Sequence, residues 1–214
     1  MARIFVTGIG TGIGKTVTSA ILCEALGADY WKPVQAGSLE ATDRALVSSL
    51  TTNSRTHVYP ERYLLREPMS PHAAAAREGI LMQRDDFVAP SESKDLVIEG
   101  AGGVMVPLAS NFLMLDLISH LQAEVVLVSK NYLGSINHTL LSFETLSRRR
   151  IPILGIVFNG PRAPESEAYI KEYTELRVLG HIGEETQITK EVVSQYAQKF
   201  KQTMAFVLRR SFEK

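Results

Sequence analysis

The 214 residues are 45% hydrophobic and 21% charged, and 23 Lys+Arg balance 23 Asp+Glu, so the formal net charge is zero. That balance argues against nucleic acid or an anionic membrane surface as partner, and no apolar run approaches the ~20 residues needed to cross a bilayer. The single cysteine, Cys23, excludes an intrachain disulfide and a paired-cysteine zinc site. With no apolar leader at the N-terminus, the expectation is one cytoplasmic domain covering residues 1–214.

In chain order, the pattern predicts a strand at Ile4–Thr7, a helix at Lys15–Leu26 and a second strand at Tyr30–Lys32. Helices follow at Asp43–Leu50 and Pro71–Glu78, separated by Asn53–Pro68, which lacks periodicity and reads as a surface loop. A strand at Leu96–Ile98 leads into a second loop, Ala101–Asn111, and a helix at Leu113–Leu121. The rest alternates: strands at Val125–Val128, Ile153–Phe158 and Val178–Ile182, helices at Ile136–Arg149, Glu165–Glu175 and Lys190–Lys199. The strands are rich in Val and Ile without polar alternation, which suits burial on both faces. The fold class is therefore α/β, a mostly parallel sheet with helices on both faces. In such folds ligands collect beyond the carboxyl ends of the strands. The terminal stretch, with Lys199, Lys201, Arg209, Arg210 and Lys214 opposed by Glu213, reads as a solvated basic helix. Met82, Met105 and Met114 read as packing residues, and His57, His72, His120 and His181 show no metal-ligand spacing.

Phe5-Val6-Thr7 runs into Gly8-Ile9-Gly10-Thr11-Gly12-Ile13-Gly14-Lys15-Thr16 and then a helical pattern. A strand, a glycine-rich turn and a helix opening at Gly-Lys-Thr is the setting of a phosphate-binding P-loop. Glycines let backbone N–H groups turn inward around phosphate oxygens, and the helix start adds free donors and a positive dipole end. Lys15 supplies a charge for the β- and γ-phosphates, and the Thr16 hydroxyl is placed for Mg²⁺. The loop is one residue longer than the common spacing, which would put its first glycine at Ile9. No frame fits the dinucleotide-binding Gly-x-Gly-x-x-Gly pattern, which disfavours hydride transfer.

Pro33 holds Lys32 extended at the end of the second strand, so a second ammonium is expected to face the loop. Asp95-Leu96-Val97-Ile98-Glu99-Gly100-Ala101-Gly102-Gly103 reads as an apolar strand ending in a carboxylate for Mg²⁺, with glycines permitting close approach to phosphates. Asp43 is a second candidate, although Thr42 or Asp43 also suits a helix cap. Gly134-Ser135-Ile136-Asn137-His138 opens a helix with free N–H donors, for an anion or under ordinary capping. Asn159-Gly160 ends a strand with an amide able to read a purine edge, and is also a plain turn signal.

Together these motifs resemble the dethiobiotin synthetase family of P-loop NTPases. The likeness runs through Val6–Thr16, Lys32–Ser38, Thr42-Asp43, Pro68-Met69-Ser70-Pro71-His72, Glu99–Gly103, Leu133–His138 and Asn159, and extends to about Glu184. It implies a three-layer P-loop fold, ATP and Mg²⁺ as cofactors, and carboxylation and ring closure of 7,8-diaminopelargonic acid with CO₂. Under the resemblance, Lys15, Lys32 and Thr11 act at the reacting groups. Gly12, Ile13, Gly14, Lys15, Thr16 and Val17 cradle the phosphates, with Gly100, Ala101 and Gly102 nearby. Thr16, Asp43 and Glu99 hold Mg²⁺, while Asn159, Gly160, Ile182, Gly183 and Glu184 meet the base. Ala36, Ser70 and Pro71 border the diamine, and its carboxylate tail reaches Gly134, Ser135, Ile136 and Asn137 of a second subunit, implying a homodimer. Two positions depart: Ala36 lacks the hydroxyl usual in the family, and Gly12 replaces a polar residue.

Four other readings compete. A partitioning or septum-site ATPase would carry a further lysine at the position of Gly10. A GTPase would carry an Asn-Lys-x-Asp motif, absent here. A non-catalytic nucleotide-binding module would not need Lys15, Thr16, Lys32 and Glu99 together. An amidating enzyme of this fold would require a glutaminase domain, for which the chain has no room.

Overall fold

Ile4 and Val6 project from one face of the first strand and Phe5 from the other, and all three are fully buried, so this strand is covered on both sides. The computed structural model describes residues 1–90 and 94–211. In chain order the elements are β1 (Arg3–Gly8), α1 (Lys15–Leu26), β2 (Asp29–Trp31), β3 (Val34–Ala36), α2 (Asp43–Leu50), β4 (Val58–Tyr59), β5 (Tyr63–Leu65) and α3 (Pro71–Arg77). They continue with β6 (Leu96–Gly103), β7 (Pro107–Ala109), β8 (Phe112–Leu113), α4 (Met114–His120) and β9 (Glu124–Lys130). The last are α5 (Ser135–Arg148), β10 (Ile153–Asn159), α6 (Pro164–Thr174), β11 (Val178–Ile182) and α7 (Lys190–Ser211).

Seven strands form one sheet in the order β11-β10-β9-β1-β6-β2-β4, and every pairing in it is parallel. On the Ile4/Val6 face, α1, α2 and α7 contribute Ile21, Leu22, Val47, Leu50, Phe200 and Met204 to a core with Tyr30, Val97, Val126 and Val157. On the Phe5 face, α3, α4 and α5 bring Ala74, Leu115, Leu117, Ile118 and Leu146 against Trp31, Ile98, Val125 and Leu127. Ile170 of α6 packs on Ile156 and Phe158 of β10. The expected α/β class and three-layer P-loop arrangement are borne out.

Four expectations are corrected. Residues 53–68 are not a plain loop: Val58-Tyr59 adds an edge strand beside β2, and β5 pairs with β3 in a separate small sheet. Both segments are only two or three residues long, too short to show a period. The 101–111 segment extends β6 to Gly103 and then makes a β7–β8 hairpin. The terminal helix runs to Ser211 rather than Lys199, and is not simply solvated, because Tyr196, Ala197, Phe200, Met204, Val207 and Leu208 form a buried stripe. Lys199 and Lys201 are exposed; the side chains of Arg209 and Arg210, and residues Glu213 and Lys214, lie outside the described region. Met82 and Met114 are buried as expected, whereas Met105 is 56% exposed and packs no core. No described helix is long and apolar enough to cross a membrane.

Candidate active site

The end of β1 and the start of α1 carry the glycine loop, in which Gly14 caps the helix at φ 94°. That left-handed conformation favours glycine, and a Cβ there would lie 2.2 Å from Asn159 Nδ2. Asn159, at the end of β10, donates through Nδ2 to the Ile13 carbonyl (2.8 Å), leaving its amide oxygen and second N–H for another partner. Gly160 N donates to the Ile182 carbonyl (2.9 Å), tying the ends of β10 and β11 together, and Gly183 N donates to the Tyr196 hydroxyl of α7 (2.8 Å). Glu184 beside them is exposed.

Lys15 is buried, and its Nζ donates to the Gly10 carbonyl (2.8 Å), folding the side chain back over the loop. Thr16 Oγ1 lies 2.7 Å from Asp43 Oδ1 and 2.9 Å from Glu99 Oε1, with one proton to give to either. Lys32 Nζ lies 2.6 Å from Asp43 Oδ2 and 3.1 Å from Glu99 Oε1. The local reasons are clear. Tyr30 is level with Val97 and Trp31 with Ile98, so Lys32 arrives beside Glu99 one step further along the parallel pair. Thr42 caps α2 by accepting from Ala45 N (3.1 Å), which sets Asp43 at the first helical position.

The two ammonium groups are tuned in opposite directions. Burial is the largest influence on Lys15 and lowers it to about 8; Glu99 and Asp43 raise it, and Lys32 lowers it further. Burial also acts to lower Lys32, but the Glu99 and Asp43 carboxylates on it prevail and raise it above the ordinary value. Asp43 is lowered: burial opposes this, and the Lys32 charge and its hydrogen bond outweigh it.

The sequence reading missed Tyr30. Its ring is fully buried and its hydroxyl donates to Glu99 Oε2 (2.9 Å). The signal was present as strand periodicity: Tyr30 and Lys32, just past the end of β2, both reach Glu99, while Trp31 between them packs on the other face.

Thr11 is exposed on the crest of the loop. With Ile9 and Gly10 it lines an open cleft of about 460 Å³ whose far wall is Gly103–Pro107 and the His138, Leu141, Ser142 and Thr145 face of α5. Gly102 approaches closely from β6, since a Cβ on it would lie 3.6 Å from Thr11 Oγ1 and 2.7 Å from Val106. Gly37 abuts Pro68 and α3 packs against β3, which draws Ser70 and Pro71 towards the end of β3. Gln35 is buried; its Nε2 donates to the Gly37 carbonyl (2.9 Å), and its Oε1 has no partner among the described residues. Gly134, Ser135, Ile136 and Asn137 do not line this cleft. Gly134 caps α5 at φ 97° with no side-chain cap, so ordinary Ser or Asn capping is not what the segment provides.

The arrangement fits both expected cofactors. Open space lies where a Cβ would stand on Gly10 and on Gly12, leaving the crest of the loop free for phosphate. Among the described residues no group of three or more His, Cys, Asp and Glu gathers. A metal here would rest on one hydroxyl and two carboxylates, hard oxygen donors that leave positions for water and phosphate, as Mg²⁺ requires.

Fold and loop define a P-loop nucleotide-binding protein. Consistent with this, a family model described as an AAA domain matches residues 2–192. Among solved structures, the Pyrococcus furiosus cell division ATPase MinD overlays with a TM-score of 0.60 at 16% identity, over 94% of this chain and 99% of that one. The ParA family ATPase from Chlorobium tepidum gives 0.55 and 14%, over 97% and 99%. At such identities the likeness speaks for the fold alone. Sequence relatives are nearer: ATP-dependent dethiobiotin synthetases from Cytophaga hutchinsonii (52% identical, 93% of this chain and 97% of the relative) and Christiangramia forsetii (50%, 94% and 96%). The chain belongs to the ATP-dependent dethiobiotin synthetase family.

Proposed function

We propose that the protein uses ATP and Mg²⁺ to close a cyclic urea on 7,8-diaminopelargonic acid, giving dethiobiotin. One amine of the diamine adds to CO₂, forming a carbamate and releasing a proton. The carbamate oxygen takes the γ-phosphoryl group, giving ADP and a carbamic–phosphoric anhydride. The second amine then attacks the carbamoyl carbon, and phosphate leaves as the ring closes. Such phosphoryl transfer depends on positioning and charge neutralisation rather than on a protein nucleophile.

The observation that carries this reading is the meeting of Lys15, Lys32, Asp43 and Glu99 beside Thr16, at the end of the phosphate loop. Lys15 and Lys32 offset the charge on the γ-phosphate and the carbamate. Thr16, Asp43 and Glu99 would hold Mg²⁺, which neutralises phosphate charge when bound. Gly12–Val17 receive the phosphates, bordered by Gly100, Ala101 and Gly102; Asn159, Gly160, Ile182, Gly183 and Glu184 face the base. Thr11, Ala36, Ser70 and Pro71 border the diamine. Gln35 Oε1 offers an acceptor next to Ala36, where the hydroxyl usual in the family is missing.

The working form in this reading is a cytoplasmic homodimer in which residues 1–214 form a single domain. Two features support the dimer: Gly134–Asn137 stand outside their own chain's cleft, and Met105 and Leu141 on its wall are exposed apolar side chains, as are Tyr132 and Leu133 just before α5. In that arrangement Gly134–Asn137 of one subunit receive the substrate carboxylate of the other.

Incubation of the protein with diaminopelargonic acid, bicarbonate, Mg²⁺ and ATP should release phosphate and yield the cyclic urea in equal amounts. Nucleotide binding without diamine-dependent phosphate release would overturn the reading.

A further inference from the structure

Glu99 is 1% exposed, so neither of its carboxylate oxygens is free to meet bulk water. They are divided between two tasks. Oε1 faces Thr16 and Lys32, whereas Oε2 accepts the Tyr30 hydroxyl at 2.9 Å. Tyr30 cannot swing away at low cost. Its ring is fully buried with Ala20, Val47, Leu50 and Val97, its N–H donates to the His57 carbonyl, and β2 is paired on both edges. The carboxylate is therefore clamped about its terminal torsion, with a single oxygen turned towards Thr16 and Asp43.

We propose that Tyr30 is a positioning residue that holds Glu99 in a one-oxygen orientation and thereby sets the preference of the site for a small octahedral cation. The proposal rests on the reading of Thr16, Asp43 and Glu99 as the metal site. Mg²⁺ takes six ligands in near-ideal geometry and is satisfied by single carboxylate oxygens, water and phosphate, whereas larger Ca²⁺ favours seven or eight ligands and often takes both oxygens of a carboxylate. A Glu99 whose second oxygen is already bonded to a phenol serves the first ion and penalises the second. Removing the hydroxyl frees Oε2, so selectivity should relax. An effect on folding alone would weaken both ions alike.

The test is competition of Mg²⁺ and Ca²⁺ against Mn²⁺ bound with ADP, read by Mn²⁺ electron paramagnetic resonance, in the full chain and in Tyr30→Phe. Loss of a residue that orients a metal ligand typically costs ~10-fold or more in affinity. Mg²⁺ affinity is therefore expected to fall about tenfold and Ca²⁺ affinity to hold or rise, shifting the ratio at least about fivefold. In a Glu99→Gln background, Tyr30→Phe should shift the ratio no further. An unchanged ratio, or equal losses for both ions, would overturn the proposal while leaving the metal site standing. Absence of Mn²⁺ binding to the unaltered protein with ADP would instead overturn the metal reading, and this inference with it. Should Tyr30→Phe fail to fold, the unaltered protein still decides. With Mg²⁺ and ADP, the infrared separation of the Glu99 carboxylate stretches, isolated by difference from Glu99→Gln, should be that of one-oxygen coordination or a water bridge, and a two-oxygen signature would overturn the proposal.

Discussion

Asn159 Nδ2 and the Ile13 carbonyl, 146 positions apart in the chain, meet at 2.8 Å and join the end of β10 to the phosphate loop. The same amide lies where a Cβ on Gly14 would go, so loop geometry and the Asn159 side chain constrain each other. Asn159→Ala should remove about 1 kcal/mol of loop organisation and weaken ATP binding about fivefold. Gly14→Ala should do more, since it adds a steric conflict to a left-handed backbone strain of about 1–2 kcal/mol. Calorimetric titration with a non-hydrolysable ATP analogue checks both, and equal affinities across the three proteins would refute the link.

The two lysines should separate kinetically. Lys32 is held by the carboxylates at the far end of the loop, whereas Lys15 rises from the loop itself. Lys32→Ala should lower kcat about 10²–10³-fold with little change in nucleotide affinity. Lys15→Ala should lower kcat and also weaken ATP binding by about 1.5–3 kcal/mol, the value of a hydrogen bond to a charged group. Single-turnover rates and equilibrium binding distinguish these outcomes, and matching, mild effects would contradict the roles assigned.

Much of this candidate site is legible in the sequence, because its chemistry is local. Gly14-Lys15-Thr16 and the Glu99 strand end are contiguous motifs, and strand period and helix spacing placed their elements within a few residues. What was hidden depends on distant pairing. Val58-Tyr59 becomes a strand only because β2 offers an edge, and Tyr30 touches Glu99 only because β2 and β6 lie side by side in a given register. The apolar stripe of α7 is legible at helical spacing, but the basic residues interleaved with it give the segment the composition of a solvated helix, which hides Phe200, Met204 and Leu208.

Phe200 gives that helix a measurable role. Its ring fills the space above Gly180, where a Cβ would lie 2.2 Å from it, and it is 1% exposed. Phe200→Ala should lower unfolding stability by about 3–5 kcal/mol, as expected for deleting a buried aromatic ring. The folded fraction should keep its nucleotide affinity, because the ring packs over Gly180 within β11 and makes none of the polar contacts of the site. Chemical denaturation with parallel binding measurements tests this, and a loss under about 1 kcal/mol would mean the helix end is dispensable.

Glu24 links stability to pH. Burial alone would raise its carboxyl, but donors from Thr52 and Asn53 outweigh that and hold it below its ordinary value of 4.5. Its contacts are Thr52 N at 2.7 Å, Thr52 Oγ1 at 2.6 Å, Asn53 N at 3.2 Å and Asn53 Nδ2 at 3.1 Å. A lowered folded value means the contribution is present in full above 4.5 and is lost as pH falls through the folded value. Glu24→Gln should cost about 1 kcal/mol at neutral pH, limited by solvent screening of a partly exposed group, and should flatten the acid side of the stability profile. An identical acid limb in both proteins would contradict this.

The packing of α7 on α1 also bears on biosynthesis. The helix that begins at the nucleotide loop leaves the ribosome well before the stripe that covers it, because α1 precedes α7 by more than 160 positions in the chain. Until that late segment emerges, the early helix presents greasy side chains without their cover, so a nascent chain halted before residue 190 should be a client for holding chaperones rather than a binder of nucleotide.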